Sequence, residues 1–249
     1  MNNIYVVLPA YNEEASIEPL FERLAELKSQ NLNNFDLNVI VVDDGSTDKT
    51  IEKAKEISLK KGLNLILGEH KVNLGLGRGL ETGFKLFLGN AKEKDILIVM
   101  DCDDTHPPDL INQMHNLISQ DQCDIVIASR YQKGAEIHGL AKYREFLSLG
   151  ASFLFRILSK IKNVKDFTCG YRAYSFSFVK TFCEKYDDEM FSEKGFTCMA
   201  ELLLKARVLN PRIIEIPLIL RYDRKQNESK MKILTTIFKT LKILFKYRN

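Results

Sequence analysis

The sequence lacks the marks of several protein classes before it shows those of any one. Its five cysteines, Cys102, Cys123, Cys169, Cys183 and Cys198, are odd in number and scattered with no Cys-x-x-Cys spacing. That argues against a zinc site or a disulfide framework and for a reduced, cytoplasmic setting. No apolar run is long enough to cross a bilayer, which takes about 20 residues, and Met1-Asn2-Asn3 runs straight into a strand pattern with nothing resembling a signal peptide before it. The expectation is a protein that is soluble or lies on a membrane. A formal net charge of +3 is too small to mark a nucleic-acid binder. Gly75, Gly77 and Gly79 miss the G-x-G-x-x-G spacing, since position 80 is Leu, and they do not follow the first strand; this argues against a nicotinamide-type dinucleotide site.

What is present reads as one large α/β core. The chain has 249 residues, 45% of them hydrophobic, enough to bury such a core with appended elements. Short β-branched runs at residues 4–8, 37–42, 63–67, 95–100 and 124–128 alternate with helical patterns at 15–28, 48–61, 76–88 and 108–119. Such alternation predicts a mostly parallel central sheet with helices on both faces. Residues 212–221 alternate as a further strand, and Pro217 places it at an edge. Residues 196–208 read as an amphipathic helix carrying Glu201, and residues 140–161 as a very apolar helical stretch, either core or a surface for lipid.

Charge collects where strands end. Asp43-Asp44 follows the second strand and Asp101-Cys102-Asp103-Asp104 the fourth, at the carboxyl edge where open α/β sheets bind ligands. Asp101 and Asp103, two apart, can point the same way in extended backbone, which suits a hard divalent ion, Mg²⁺ or Mn²⁺, with positions left for substrate phosphates. The competing explanation is an acidic loop capping the helix that starts at Pro107-Pro108. Arg130 emerges at the same edge, for a phosphate or for a structural salt bridge, and the glycine segment with Arg78 is either an anion-binding helix entrance or a plain loop. From Lys225 onward almost every charge is basic, and in residues 231–248 Ile233, Leu234, Ile237, Phe238, Leu241, Leu244 and Phe245 share one helical face. Residues 1–224 are thus read as the main domain and 225–249 as a basic amphipathic segment, either on an anionic membrane surface or docked on its own domain.

The motifs stand in one order: Leu8-Pro9-Ala10-Tyr11-Asn12-Glu13-Glu14, Val42-Asp43-Asp44-Gly45-Ser46-Thr47-Asp48, Asn73-Leu74-Gly75 with Gly77, then Asp101-Cys102-Asp103-Asp104-Thr105-His106-Pro107-Pro108. This order resembles the inverting family 2 glycosyltransferases with a GT-A fold. Ser129-Arg130-Tyr131, Arg144 before a Gly-Ala helix, Asp166 to Tyr174 and Glu228-Ser229-Lys230 extend the likeness to the dolichol-phosphate mannose synthase branch. The resemblance implies that Pro9, Tyr11, Glu13, Asp44 and Gly77 surround the nucleotide donor, and that Asp101 and Asp103 hold the donor sugar and a metal-bridged diphosphate. It implies a third metal contact at Thr105, where relatives often carry Gln or Ser. Arg130, Arg144, Arg224 and Lys230 would surround the donor and acceptor phosphates, the last two on a loop that closes over the donor.

Under that resemblance the reaction moves a hexose, mannose first among the choices, from a nucleotide sugar to a polyprenyl phosphate at the cytoplasmic face of a membrane. A phosphate acceptor is already ionised and needs cations rather than a base. A sugar hydroxyl would need a carboxylate base, for which Asp103, Asp166 and Glu201 are the candidates. The alternatives are a family 2 enzyme using a UDP-sugar on a glycan or glycolipid hydroxyl, and a non-catalytic nucleotide-sugar-binding module.

Overall fold

A computed structural model describes residues 2–31, 34–140, 150, 152, 155–159, 161, 163–226 and 242–247. Arg144, Lys230 and most of the expected tail helix lie outside the described residues. The N-terminal half alternates as expected: β1 (Asn2–Ala10), α1 (Ile17–Gln30), β2 (Phe35–Asp43), α2 (Thr50–Lys61), β3 (Asn64–Glu69), α3 (Leu76–Asn90), β4 (Ile96–Val99), α4 (Leu110–Ser119) and β5 (Ile125–Ser129). Then follow β6 (Glu136–His138), β7 (Arg172–Ser175), α5 (Phe176–Tyr186), α6 (Cys198–Ala206), β8 (Ile213–Pro217) and β9 (Ile219–Arg221).

Seven strands form one sheet in the order β3-β2-β1-β4-β7-β5-β8, all parallel to their neighbours except β7. The expected edge strand is indeed at the edge: β8 pairs with β5 alone, and Pro217, its last residue, needs no amide for a further strand. The strands read as unbroken apolar runs because both faces are covered. Ile4, Val6 and Leu8 face α1, α2 and α4, whereas Tyr5 and Val7 face α3, α5 and α6.

Helix α6 departs from the amphipathic pattern expected of residues 196–208, since each of its nine residues is buried. Its charges are neutralised within the protein, which removes the cost of burying them. Lys205 Nζ lies 3.2 Å from the Glu201 carboxylate and donates to the Met190 carbonyl. The described end of the tail completes the cover, with Ile243 and Leu244 buried in the same cluster and Tyr247 Oη donating to Glu201 Oε1 at 3.1 Å. Lys242, Phe245 and Lys246 remain exposed.

Parallel registry brings the functional ends together. Ala10 pairs with Asp43, Val7 with Val99, and Val99 and Ile127 both with Arg172. The carboxyl ends of β1, β2, β4 and β5 therefore share an edge with the start of antiparallel β7, so the 166–171 loop reaches the site from below. The chain leaves β8 at that edge, and β9 pairs with β6 in a separate two-stranded ribbon. There the Arg221 amide donates to the Thr105 carbonyl at 3.0 Å, fixing residues 222–225 beside the Asp-x-Asp loop.

Helix α3 lies so close to β1 that a Cβ on Gly83 would fall 2.5 Å from Val7 Cγ1. In an exposed helix Gly→Ala stabilises by about 1 kcal/mol. Here Val7 is fully buried and stiff at χ1, so Gly83→Ala is expected to destabilise by about 1–3 kcal/mol, measured by urea denaturation.

Candidate active site at the carboxyl edge of the sheet

At the end of β2 the carboxylate of Asp44 organises the glycine segment. Its Oδ1 accepts from the Leu74 amide at 2.8 Å and its Oδ2 from the Gly75 amide at 2.7 Å, while His70 Nδ1 lies 2.8 Å from Oδ1. Gly75 holds φ +93°, open to glycine. A Cβ on Gly77 would meet the Glu193 carbonyl oxygen at 2.3 Å, so both glycines are required by the 191–194 loop that covers them. Arg78, at the segment read as either an anion-binding helix entrance or a plain loop, pairs with Glu81 at 2.5 Å. Pro9 and Tyr11 are half-buried where β1 ends, and Glu13 is buried, its amide donating to Thr50 Oγ1. Asp43, which sequence reasoning passed over in favour of Asp44, is buried with Oδ2 accepting from the Ser46 amide and Oδ1 without a hydrogen bond among the described residues.

The end of β4 carries the acidic loop, and its carboxylates have different surroundings. Asp101 lies with 32% of its side chain exposed, and among the described residues its carboxylate accepts no hydrogen bond. Gly170 lines it from below, since a Cβ there would sit 3.0 Å from Asp101 Oδ1. Burial pushes the Asp101 pKa up, opposed by His106 and reinforced by the charge of Asp103. Asp103 is 7% exposed, and Thr105 donates to its Oδ1 through both amide and hydroxyl, the latter at 2.7 Å. Its Oδ2 is held by the Lys225 ammonium. Burial alone would raise the Asp103 pKa; the charge of Lys225 and the hydrogen bonds from Lys225 and Thr105 outweigh it and hold the group low. Asp104, in left-handed backbone at φ +62°, turns the other way to pair with Arg23 of α1.

His106 stiffens this loop. Its Nδ1 accepts from the Asp101 amide at 3.0 Å, which places the ring proton on Nε2, 3.9 Å from Asp101 Oδ2. The ring is stacked on Tyr171, centroids 5.0 Å apart, and Tyr171 donates to the Pro107 carbonyl. Neither His106 nor Lys225 was singled out from sequence. Lys225 merged into the basic run that follows it, although its place directly after Arg224, behind an edge strand, was a usable signal.

Arg130 makes its described bonds with protein. It meets Asp166 in a two-pronged pair, Nε to Oδ2 at 2.8 Å and an Nη to Oδ1 at 2.7 Å, and it also donates to Thr168 Oγ1. Asp166, fully buried, further accepts from the amides of Arg130, Thr168 and Cys169. Burial would raise its pKa, but Arg130's charge and these bonds hold it below the ordinary carboxylate value. The pair thus pins the 166–171 loop to the end of β5, the salt-bridge alternative left open by the sequence. Glu201 is as fully engaged. It accepts from the Ser192 amide and hydroxyl, the Glu193 amide and Tyr247, beside Lys205, and despite its burial these partners keep its pKa low. Arg224 is half-buried, and among the described residues its guanidinium has neither hydrogen bond nor ion pair.

Asp101 and Asp103 fit a hard divalent cation: two carboxylates on one short loop, one of them without a hydrogen-bond donor and partly open. Thr105 gives its hydroxyl to Asp103. Among the described residues no group of three or more His, Cys, Asp or Glu side chains could hold a metal, so two carboxylates are what this loop offers.

A mostly parallel sheet with acidic loops at its carboxyl edge and a returning antiparallel strand defines the nucleotide-sugar transferase architecture called GT-A. The fold of glucosyl-3-phosphoglycerate synthase from Mycobacterium tuberculosis, solved with Mn²⁺, UDP and its product, superposes at a TM-score of 0.68 with 19% identity, covering 99% of this chain and 80% of that one. The family profile described as glycosyl transferase family 2 matches residues 5–182, and the chain belongs to that family. It is 33% identical to the dolichol-phosphate mannosyltransferase of Pyrococcus furiosus over 98% of its own length, spanning 63% of that relative. It is 31% identical to the UDP-N-acetylglucosamine–dolichyl-phosphate N-acetylglucosaminyltransferase of Methanococcus voltae, over 86% of this chain and 84% of that one.

Because the folded-state pKa of Asp166 is lowered, its contribution is present above the unfolded value of about 3.9 and is lost as pH falls through the folded value. Asp166→Asn, which strands Arg130, is expected to cost about 3–5 kcal/mol at pH 7. The gap to the parent protein should narrow below about pH 4, followed by urea unfolding across pH.

Proposed function

We propose that this protein transfers a hexose, mannose first among the candidates, from a nucleotide diphosphate sugar to a polyprenyl phosphate at the cytoplasmic face of a membrane. The observation that carries the acceptor class is the state of the three candidate bases. Asp166 is neutralised by Arg130, Glu201 by Lys205 and four donated hydrogen bonds, and Asp103 by Lys225 and Thr105. All three carboxyls are held low by these partners against the effect of burial, which makes them weak bases for a sugar hydroxyl. An acceptor that arrives as a phosphate monoester needs none. Both curated relatives carry a dolichol- or dolichyl-phosphate in their names but differ in the sugar moved, so they support the acceptor more firmly than the donor.

In this reading Pro9, Tyr11, Glu13 and the orphaned Oδ1 of Asp43 face the nucleotide, and Asp44 shapes that site by holding the Leu74–Gly75 turn and the loop over Gly77. Asp101 and Asp103 would hold a divalent cation, Mg²⁺ or Mn²⁺, which when bound neutralises the charge growing on the departing diphosphate. Arg224, with Arg144 and Lys230, orients phosphate oxygens so that the acceptor attacks the anomeric carbon in line, opposite the leaving group. Arg130 contributes by positioning the 166–171 loop beneath Asp101. No helix among the described residues is long and apolar enough to cross a membrane, and the exposed Lys242, Phe245 and Lys246 of the docked tail suit contact with anionic lipid.

The test is nucleotide release from a panel of GDP- and UDP-sugars with Mn²⁺ or Mg²⁺, with and without a short polyprenyl phosphate. One donor is expected to be consumed only when the lipid phosphate is present, and Asp103→Ala should lower kcat by about 10²–10³-fold. Turnover that ignores chelators and Asp103→Ala, or release that does not depend on lipid phosphate, would sink the proposal.

A further inference from the structure

Lys225 holds the oxygen that a metal would need. Its ammonium is bonded to Asp103 Oδ2, its side chain is 15% exposed, and it lies 5.5 Å from the centre of the Tyr222 ring. Asp101, whose carboxylate accepts no hydrogen bond among the described residues, acts on the same ammonium electrostatically. The Asp-x-Asp loop is therefore already supplied with one positive charge, from a residue outside the motif. An ammonium and a divalent ion cannot share Asp103 Oδ2 without strong repulsion at that range, and the doubly charged ion is attracted about twice as strongly at equal distance.

The segment that carries Lys225 is anchored on one side. Upstream, β9 pairs with β6 and the Arg221 amide is bonded to the Thr105 carbonyl. From Tyr222 the chain makes a single 3₁₀ turn, Tyr222–Arg224, and Lys225 follows it in extended backbone. Next to Lys225 is Arg224, whose guanidinium is uncommitted among the described residues, close enough to Arg23 of α1 for their charges to oppose each other. Two cations thus sit at the end of an anchored strand, one uncommitted and the other bonded to a carboxylate of the expected metal pair.

Resting on the transferase reading above, we propose that Lys225 is the resident counter-ion of Asp103, displaced when a divalent ion and the donor diphosphate bind, and that the displaced ammonium turns with Arg224 onto the incoming phosphate oxygens. The exchange keeps Asp103 paired at both stages: it is never left buried and alone, a state that is strongly destabilising. It also makes the 222–225 segment respond to the donor, since the same ion that binds the diphosphate frees the Lys225 ammonium to join Arg224 on it.

Free Mn²⁺, read by its electron paramagnetic resonance signal, tests this without turnover, with Mn²⁺ alone and then with GDP or UDP. Lys225→Met is expected to bind Mn²⁺ alone roughly tenfold more tightly than the parent protein. Lys225→Arg should stay near the parent, and Asp103→Asn should lose binding. Lys225→Gln, uncharged but able to hydrogen-bond Asp103, should show the same tightening and stands in if the methionine variant unfolds. The chain contains no tryptophan, so Tyr222→Trp reports the ammonium directly: its emission should shift when Mn²⁺ and nucleotide are added, and not when Lys225→Met is also present. Equal Mn²⁺ affinity in the parent, Lys225→Met and Lys225→Gln, with binding lost in Asp103→Asn, would overturn the inference and leave the transferase reading intact. No Mn²⁺ binding by any folded form, with or without nucleotide, would overturn both.

Discussion

Placing negative charge at a buried sheet edge is the constraint on which this structure depends. A carboxylate removed from water costs several kcal/mol unless partners replace its hydration, and Asp44, Asp103, Asp104, Asp166 and Glu201 are among those buried around one edge or the loops that cover it. Each has a specific answer: Leu74 and Gly75 amides for Asp44, Lys225 for Asp103, Arg23 for Asp104, Arg130 for Asp166, Lys205 and Ser192 for Glu201. These pairings bring α1, the glycine turn, the 166–171 loop and the end of β9 to the site. Asp101 is the exception, partly open and without a donor among the described residues, and so it marks where a cation from outside the chain would be drawn.

Most of the fold was legible because its signals are local. Runs such as Val39-Ile40-Val41-Val42 admit little else than a doubly covered strand, and the acidic residues that end them mark the sheet edge that carries the candidate site. Pro217 reported an edge strand correctly for the same reason, since a missing amide is a property of one residue. Helix α5 was passed over in the sequence although Ser175, of a type that caps helices, stands before it and accepts from the Phe178 amide. The total burial of α6 depends on Tyr247, Ser192 and Lys205, and no window along the chain contains all of them with Glu201.

The site was legible in its residue types but not in its pairings. Asp101 and Asp103 stand at the expected edge, and Arg130 reaches the same edge, where Asp166 pairs with it. Asp44 faces a turn of its own chain, while Asp43, its neighbour, retains the unbonded oxygen. Such assignments turn on which of two adjacent side chains points inward and on contacts between residues tens of positions apart. Lys225 and Asp103 are the extreme case, joined only because β9 is tied to the Thr105 carbonyl.

The reversed strand β7 has a consequence for the order of assembly. Strands β3, β2, β1 and β4 lie side by side and are complete before residue 100, so this half-sheet forms from contacts close in sequence. The other half is joined through Arg172, which pairs with Val99 on one side and Ile127 on the other, and such long-range closures are slow. During synthesis the loops after β1 and β2 are in place while Asp101 still has nothing beneath it, because Gly170 and Tyr171 arrive only with β7. A nascent chain is thus able to shape one side of the cleft well before it has a floor, and the acidic pair matures last.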